Sequence, residues 1–335
     1  MSVLGIDEIT FGAADLAACR RFFLDWGLKL AAEADDRLAF ETLNGCRVIV
    51  ARSDAPGVPP GVEPDPTLRE VVWGVRNQAD LRAIAGRMAG QPGCARSAER
   101  VGCIDPNGLS VQVQVSRKRV LQLPSARTNT WSEQPRVDSP APSYERATPI
   151  EVGHAVFFVK DLARTTDFYR EVLGFVVSDR YPDRGNFMRC AAEGGHHDLF
   201  LLQLDAPRAG LNHVAFSVRD IHEVFGGGMH MARQGWSTEL GPGRHPISSA
   251  IFWYFHNPAG ALVEYYTDED QLTAAWQPRD FTPGPTVFAE WAIQGGIDGH
   301  TRRQQSAPPP PNRFMTDNTP AATARHPSPT EDSTT

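Results

Sequence analysis

The chain repeats itself, and the repeat limits its fold more than any other feature. In the second half, His154-Ala155-Val156-Phe157-Phe158-Val159 reads as a buried strand. Asp161 then stands where a helix cap belongs, Leu162, Phe168, Tyr169, Val172 and Leu173 recur at helical spacing, and Gly174 ends the run. The first half has the same phasing: Glu8-Ile9-Thr10-Phe11, then Asp15-Leu16, Phe22, Phe23 and Trp26, then Gly27. Leu68–Val75 matches Leu211–Val218. The turns Asp105-Pro106-Asn107-Gly108 and Asn257-Pro258-Ala259-Gly260 each lead into a strand, Leu109 to Val115 and Ala261 to Tyr266. Two copies of a strand, helix and strands unit satisfy this most economically.

With 335 residues the chain has room for about two domains of roughly 100 to 200 residues each. Residues 1–115 form the first module and 148–270 the second. Residues 116–147, poor in large apolar side chains and carrying Pro124, Pro135, Pro140 and Pro142, read as a linker. Residues 271–297 extend the second module. The tail, 298–335, holds Pro308-Pro309-Pro310-Pro311 and mostly polar residues, and is expected to be disordered. A formal charge of −7 argues against nucleic-acid binding. No apolar run approaches the roughly 18 residues of a membrane span, and the first residues do not read as a leader, so a cytoplasmic protein is expected. Five cysteines without CxxC spacing suggest neither a disulfide framework nor a thiolate metal site.

Three residues of the second module carry the chemistry. His154, His213 and Glu264 fall on three separate expected strands, and two imidazoles with one carboxylate are the donor set of the facial triad that holds Fe(II) with open positions. Alternation puts His154 on one face with Val156 and Phe158, His213 with Ala215 and Ser217, and Glu264 with Leu262 and Tyr266. If the three strands line one curved sheet, the ligands converge.

Around these residues the chain resembles the vicinal oxygen chelate (glyoxalase/bleomycin resistance/dioxygenase) superfamily over residues 1–115 and 148–270. The segment from His245 through Tyr254 and the Asn257-Pro258-Ala259-Gly260 turn to Glu264 is similar, more narrowly, to type I extradiol ring-cleaving dioxygenases such as catechol 2,3-dioxygenase and 2,3-dihydroxybiphenyl 1,2-dioxygenase. The resemblance implies an α+β fold of tandem modules. Each would be built from paired βαβββ units whose mixed sheet curls into a cup, with the metal site in the C-terminal module. It implies metal ligation by His154, His213 and Glu264, with His197, His245 and Tyr254 as catalytic residues beside them. Fe(II) is the implied metal, Mn(II) is admitted by the same donors, and O2 is the co-substrate. A small aromatic diol would be cleaved beside one hydroxyl, and a homo-oligomer is expected.

One segment departs from the family pattern. The connection from His196-His197-Asp198-Leu199 to Asn212-His213 is about one residue longer than that pattern. Strand alternation lets only one of the two histidines face inward, and His197 is favoured. In the first module Glu8, Glu70 and Gln112 stand opposite the three ligands. A second metal site of oxygen ligands is conceivable there, but a hydrogen-bonded polar filling is the expectation.

Phe187, Phe252, Trp253 and Phe255 are candidates for a pocket wall, core packing being favoured for most. For Trp276, Phe281, Phe288 and Trp291 the sequence leaves lid, subunit contact and packing open. Other functions with the same fold are a non-redox isomerase or lyase, drawing ligands from Glu8, Gln112, His154 and Glu264, and a metal-free binding protein. A 2-oxo-acid-using oxygenase is a further alternative, against which the His245 to Tyr254 segment speaks.

Overall fold

Each module is organised by one long buried strand, visible in a computed structural model that describes residues 3–124, 127–282 and 285–295. The tail, 298–335, lies outside the described residues. In the first module Val3–Ala13 runs parallel to Arg47–Arg52 and antiparallel to Thr67–Val75, which runs parallel to Ser110–Val115. In the second, Glu151–Phe158 runs parallel to Leu199–Leu202 and antiparallel to Gly210–Ser217, which runs parallel to Leu262–Thr267. The duplication read from the sequence is thus a duplication of strand pairing. The fold is α+β, with an eight-stranded and a ten-stranded mixed sheet.

The local signals explain the helices. Asp15 accepts from the Ala18 N–H at 2.8 Å and opens Leu16–Asp25, while Asp161 accepts from the Arg164 N–H at 2.9 Å and opens Leu162–Phe168. The second helix differs from a plain α-helix. It widens into a π-turn over Tyr169–Leu173, where the Tyr169 ring is fully buried beside Phe168 and Phe175, and ends at Gly174 with φ 85°. Two longer helices, Gln78–Met88 and Ile221–Arg233, complete the repeat. No helix among the described residues is long and apolar enough to cross a membrane.

The modules share one apolar core. Trp26 stacks on Tyr265 with ring centroids 3.5 Å apart and planes 7° from parallel, and the Tyr265 hydroxyl donates to the Trp26 carbonyl at 2.8 Å. Gly27, at φ 93°, lies so close to Ala147 that a Cβ would meet its carbonyl oxygen at 2.1 Å. Between Val115 and Glu151 the described residues form no helix or strand. All five cysteines are unpaired thiols.

The extension settles on the second module. Arg279–Asp280 pairs with Val176–Tyr181 at one edge of the ten-stranded sheet, and Trp291–Gly295 pairs with Thr238–Arg244 at the other. It thus covers edges that would otherwise present unpaired backbone groups.

Because Trp26 joins the two cores, Trp26→Ala is expected to destabilise the protein by about 3–5 kcal/mol, as for other buried aromatics. Urea unfolding followed by circular dichroism should still show a single transition; two separated transitions would contradict a shared core.

Candidate metal centre

Strand register brings the three sequence-predicted ligands together. His154 lies opposite Ala215, and Ala215 lies opposite Glu264, so the three form one row across adjacent strands. His213 sits two residues from Ala215 on the same face. The small Ala215 side chain in mid-row leaves the space above it to the ligands. His154 Nε2 and His213 Nε2 are each 3.2 Å from Glu264 Oε2 and 3.3 Å from one another. All three residues are buried.

This triangle fits a cation and poorly fits anything else. Neither Glu264 oxygen accepts a well-formed hydrogen bond, although both are fully shielded from solvent. Burial pushes the His154 imidazole down to about 3 and lowers that of His213, so both rings are neutral. Burial alone would raise the Glu264 carboxyl. The imidazoles of His154, His213 and His245 outweigh it and hold the group well below the usual carboxylate range. Two neutral imidazoles and one carboxylate are the protonation states a metal requires. Asn212 Oδ1 accepts from His213 Nδ1 at 2.7 Å, which leaves the His213 Nε2 lone pair facing Glu264. Donors spaced like this lie about 2.3 Å from a common point if their bonds to it are perpendicular, close to ordinary metal–ligand lengths.

The other sequence-predicted residues flank the triangle. Tyr254 pairs with Glu264 on the next strand, extending the row. His245 Nδ1 donates to the Phe288 carbonyl at 2.8 Å, so in the neutral ring Nε2 is bare and accepts from the Tyr254 hydroxyl at 3.1 Å. Burial raises the Tyr254 phenol well above its ordinary value, keeping it protonated. On the opposite flank His197 lies with its ring centroid 4.2 Å from that of His154. The alternation expected at His196-His197 does not apply, because these residues form a bend before the strand begins at Leu199. Both rings are buried: His197 lines the cavity, while His196 turns away to Asp179, 2.9 Å from its Oδ2.

The cavity encloses about 400 Å³, its open mouth included. Phe187, stacked on Phe200 with centroids 3.9 Å apart, forms part of the wall. Phe252 instead backs His245, with centroids 4.1 Å apart, and Trp253 and Phe255 point into the shared core. From the extension, Val287 and Phe288 close one side.

The first module has the same row without the metal set. Glu8 lies opposite Val72, Val72 opposite Gln112, and Glu70 is two residues from Val72. Arg100 fills the cup: its guanidinium is 3.1 Å from Glu8 and 3.9 Å from Glu70, while Ser110 bonds Glu70 at 2.8 Å. The two-module ligand set Glu8, Gln112, His154 and Glu264 is therefore not assembled.

Sequence reasoning missed Arg100, Asn212, Asp179 and Glu269. Asn212 neighbours His213 on a strand, where alternation would send it to the other face. A register shift between Leu211 and His213 brings the two side chains together. Glu269 lies beyond the last ligand strand, yet its Oε1 is 3.2 Å from His197 Nδ1.

Residues 151–265 match the family described as Glyoxalase/Bleomycin resistance protein/Dioxygenase superfamily. Metapyrocatechase 2 of Cupriavidus necator is 32% identical over 199 residues, covering 56% of this chain and 58% of that protein. The chain therefore spans less than two thirds of that relative's length. Among solved structures, the Mn(II)-bound glyoxalase from Novosphingobium aromaticivorans aligns with a TM-score of 0.69 at 23% identity, over 88% of this chain and 93% of that one. A halotolerant catechol dioxygenase aligns with a TM-score of 0.68 at 20% identity, over 92% and 98%. At these identities the structures speak for the fold. Residues 151–265 thus carry the Glyoxalase/Bleomycin resistance protein/Dioxygenase superfamily match, within paired curled sheets whose fold these solved structures share.

Proposed function

We propose that the protein is an extradiol ring-cleaving dioxygenase that inserts both atoms of O2 into a catechol-type diol at a non-haem Fe(II). The carrying observation is that the His154–His213–Glu264 triangle shares one cavity with His197 on one flank and the His245–Tyr254 pair on the other. The relatives' names support the reaction class: Metapyrocatechase 2, a 2,2',3-trihydroxybiphenyl dioxygenase and a biphenyl-2,3-diol 1,2-dioxygenase.

Fe(II) held by His154, His213 and Glu264 would supply Lewis acidity toward a chelating diol and one-electron chemistry toward O2, and Mn(II) suits the same donors. The chain's own residues bind and orient. The Tyr254 hydroxyl reaches a substrate oxygen as donor, while bare His245 Nε2 takes up the proton that the pair shares. Phe288 holds the His245 ring in place through its carbonyl. Phe187, Phe200 and Ile247 exclude water from the side facing the substrate ring.

In this reading residues 148–270 carry the chemistry and residues 1–115 support it. A cytoplasmic setting and a homo-oligomeric assembly belong to it as well, both resting on the sequence resemblance. The isomerase alternative loses its ligand set to Arg100. A metal-free binding protein would leave the buried Glu264 carboxylate facing imidazoles alone, with no full positive charge beside it.

Anaerobic reconstitution with Fe(II), then O2 uptake with a panel of catechols, is expected to give a yellow ring-fission product. His213→Ala and Glu264→Gln should each lose bound iron and lower kcat/KM about a thousandfold or more, the scale of a lost metal site. Silence across the whole panel, with His213→Ala still turning over some other substrate, would sink the proposal.

The cavity lining contains no Lys or Arg among the described residues. Burying a substituent's unpaired charge there costs several kcal/mol, so catechols with neutral alkyl or aryl groups should exceed carboxylated ones by at least about tenfold in kcat/KM. Equal kcat/KM for matched pairs would contradict this account of the wall.

A further inference from the structure

We infer that the hydroxyl of Tyr181 recognises a neutral oxygen on the substituent of the diol. Tyr181 is then a specificity-determining residue, and the substrates are catechols whose side group carries an ether, hydroxyl or carbonyl oxygen. The inference deepens the ring-cleavage reading and rests on it for the diol, which is held at the triad.

Tyr181 ends the strand Val176–Tyr181, and a tight turn brings the chain back to Gly185 opposite it. The Arg184 N–H donates to the Tyr181 carbonyl at 2.9 Å and closes that turn. Gly185 leaves the space across the pair to Phe200, since a Cβ there would come within 2.6 Å of the Phe200 ring. The Tyr181 ring lies against Phe187 and Phe200, with centroids 5.7 and 6.2 Å away. Phe187 in turn touches His197, and His197 touches His154. Among the described residues Tyr181 makes no ring contact with a histidine, so it stands along the wall from the metal end. Phe281 and Val287 of the extension pack on the same apolar cluster.

Within that cluster the Tyr181 hydroxyl is the exception. The residue is 3% exposed, and its hydroxyl has no hydrogen-bond partner among the described residues. The phenol of Tyr169, also without a partner, is sealed from solvent. That of Tyr181 is not, and the space its residue lines is the cavity. Burial, with the Asp179 carboxylate behind it, raises the phenol, which therefore keeps its proton and acts as a donor. A buried donor without a partner is costly, and an arriving acceptor removes that cost.

The lining decides which acceptor. It holds no Lys or Arg among the described residues, so a carboxylate would gain one hydrogen bond from Tyr181 and still bury an uncompensated charge. A neutral oxygen takes the bond without that loss. Tyr254 is already engaged with His245. Ser248, the other lining hydroxyl without a protein partner, belongs to the loop whose Ala250 packs on Ala215 in the ligand row. It lies toward the metal end, which leaves Tyr181 to meet the substituent.

Methoxymethylcatechol and propylcatechol test this, because the two side groups match in size and the ether oxygen can only accept. Each pair is compared at the same ring position, at both nonequivalent positions in turn. Anaerobic calorimetric titration of Fe(II)-loaded protein reads binding, and O2 uptake reads kcat/KM. At one position or both, wild type should favour the ether about tenfold in each. Tyr181→Phe keeps the ring and removes only the hydroxyl, and should abolish that preference, while Ser248→Ala should retain it. Wild type that favours the alkyl compound at both positions overturns the inference whether or not any variant folds, as does a preference that survives Tyr181→Phe. Turnover with such an unmoved ratio would leave the ring-cleavage reading standing. Ether-selective binding lost in Tyr181→Phe, with no catechol turned over, would defeat that reading and leave the recognition intact. Wild type that binds neither compound overturns both.

Discussion

The carboxylate of Glu264 is almost completely withdrawn from solvent, and its oxygens have no well-formed hydrogen bond. An ionised group so placed costs far more than a fold of this size can spare unless a positive charge meets it. The neighbouring imidazoles cannot provide that charge, because the same burial keeps them neutral. The site therefore suits a cation from outside. The first module meets the same electrostatic demand from within. Glu8 and Glu70 occupy the places of His154 and His213, and the Arg100 guanidinium lies between the carboxylates. One topology thus holds two solutions, a resident guanidinium in one cup and a site for an exogenous ion in the other.

Much of the fold was legible because its signals are local. Asp15, Asp161, Gly27 and Gly174 mark helix ends by their own chemistry, and the repeat revealed itself through the order of such marks. The convergence of His154, His213 and Glu264 was legible because alternation places each on a definite face and the repeat assigns each to its strand. Arg100 was not, because an arginine between Glu99 and Val101 looks like an ordinary exposed position until the partner carboxylates are brought beneath it. Asn212 required a bulge, and His196-His197 a bend, both of which break the period-two rule on which the reading relied. The extension was ambiguous for a different reason. Its strands are two and five residues long and form only against edges supplied by distant parts of the chain.

Those edges tie the extension to the site. Arg279 reaches Asp179 at one side of the sheet, and at the other the Phe288 carbonyl holds His245. A short segment at the two edges of the second module's sheet thus restrains both flanks of the cavity through hydrogen bonds to a ring nitrogen or to a carboxylate behind it. Short edge strands are weakly held by their own backbone bonds, so the ion pair at Asp179 and the packing of Phe288 also help keep the extension in place.

His245 Nδ1 donates to the Phe288 carbonyl, so a neutral ring turns a bare Nε2 toward the cavity. A vicinal diol arrives with two hydroxyl protons, and binding to a cation favours losing them. Under the ring-cleavage proposal, an acceptor on that flank suits such a ligand better than a donor would, because a proton can leave toward the wall without crossing the metal-binding face. A site built for an already anionic substrate would gain from the opposite choice, donors or cationic side chains on the flanks. The phenol of Tyr254 already points at His245, which makes the pair a shared proton position. The orientation of the His245 ring is thus set by a backbone carbonyl one layer behind the pocket.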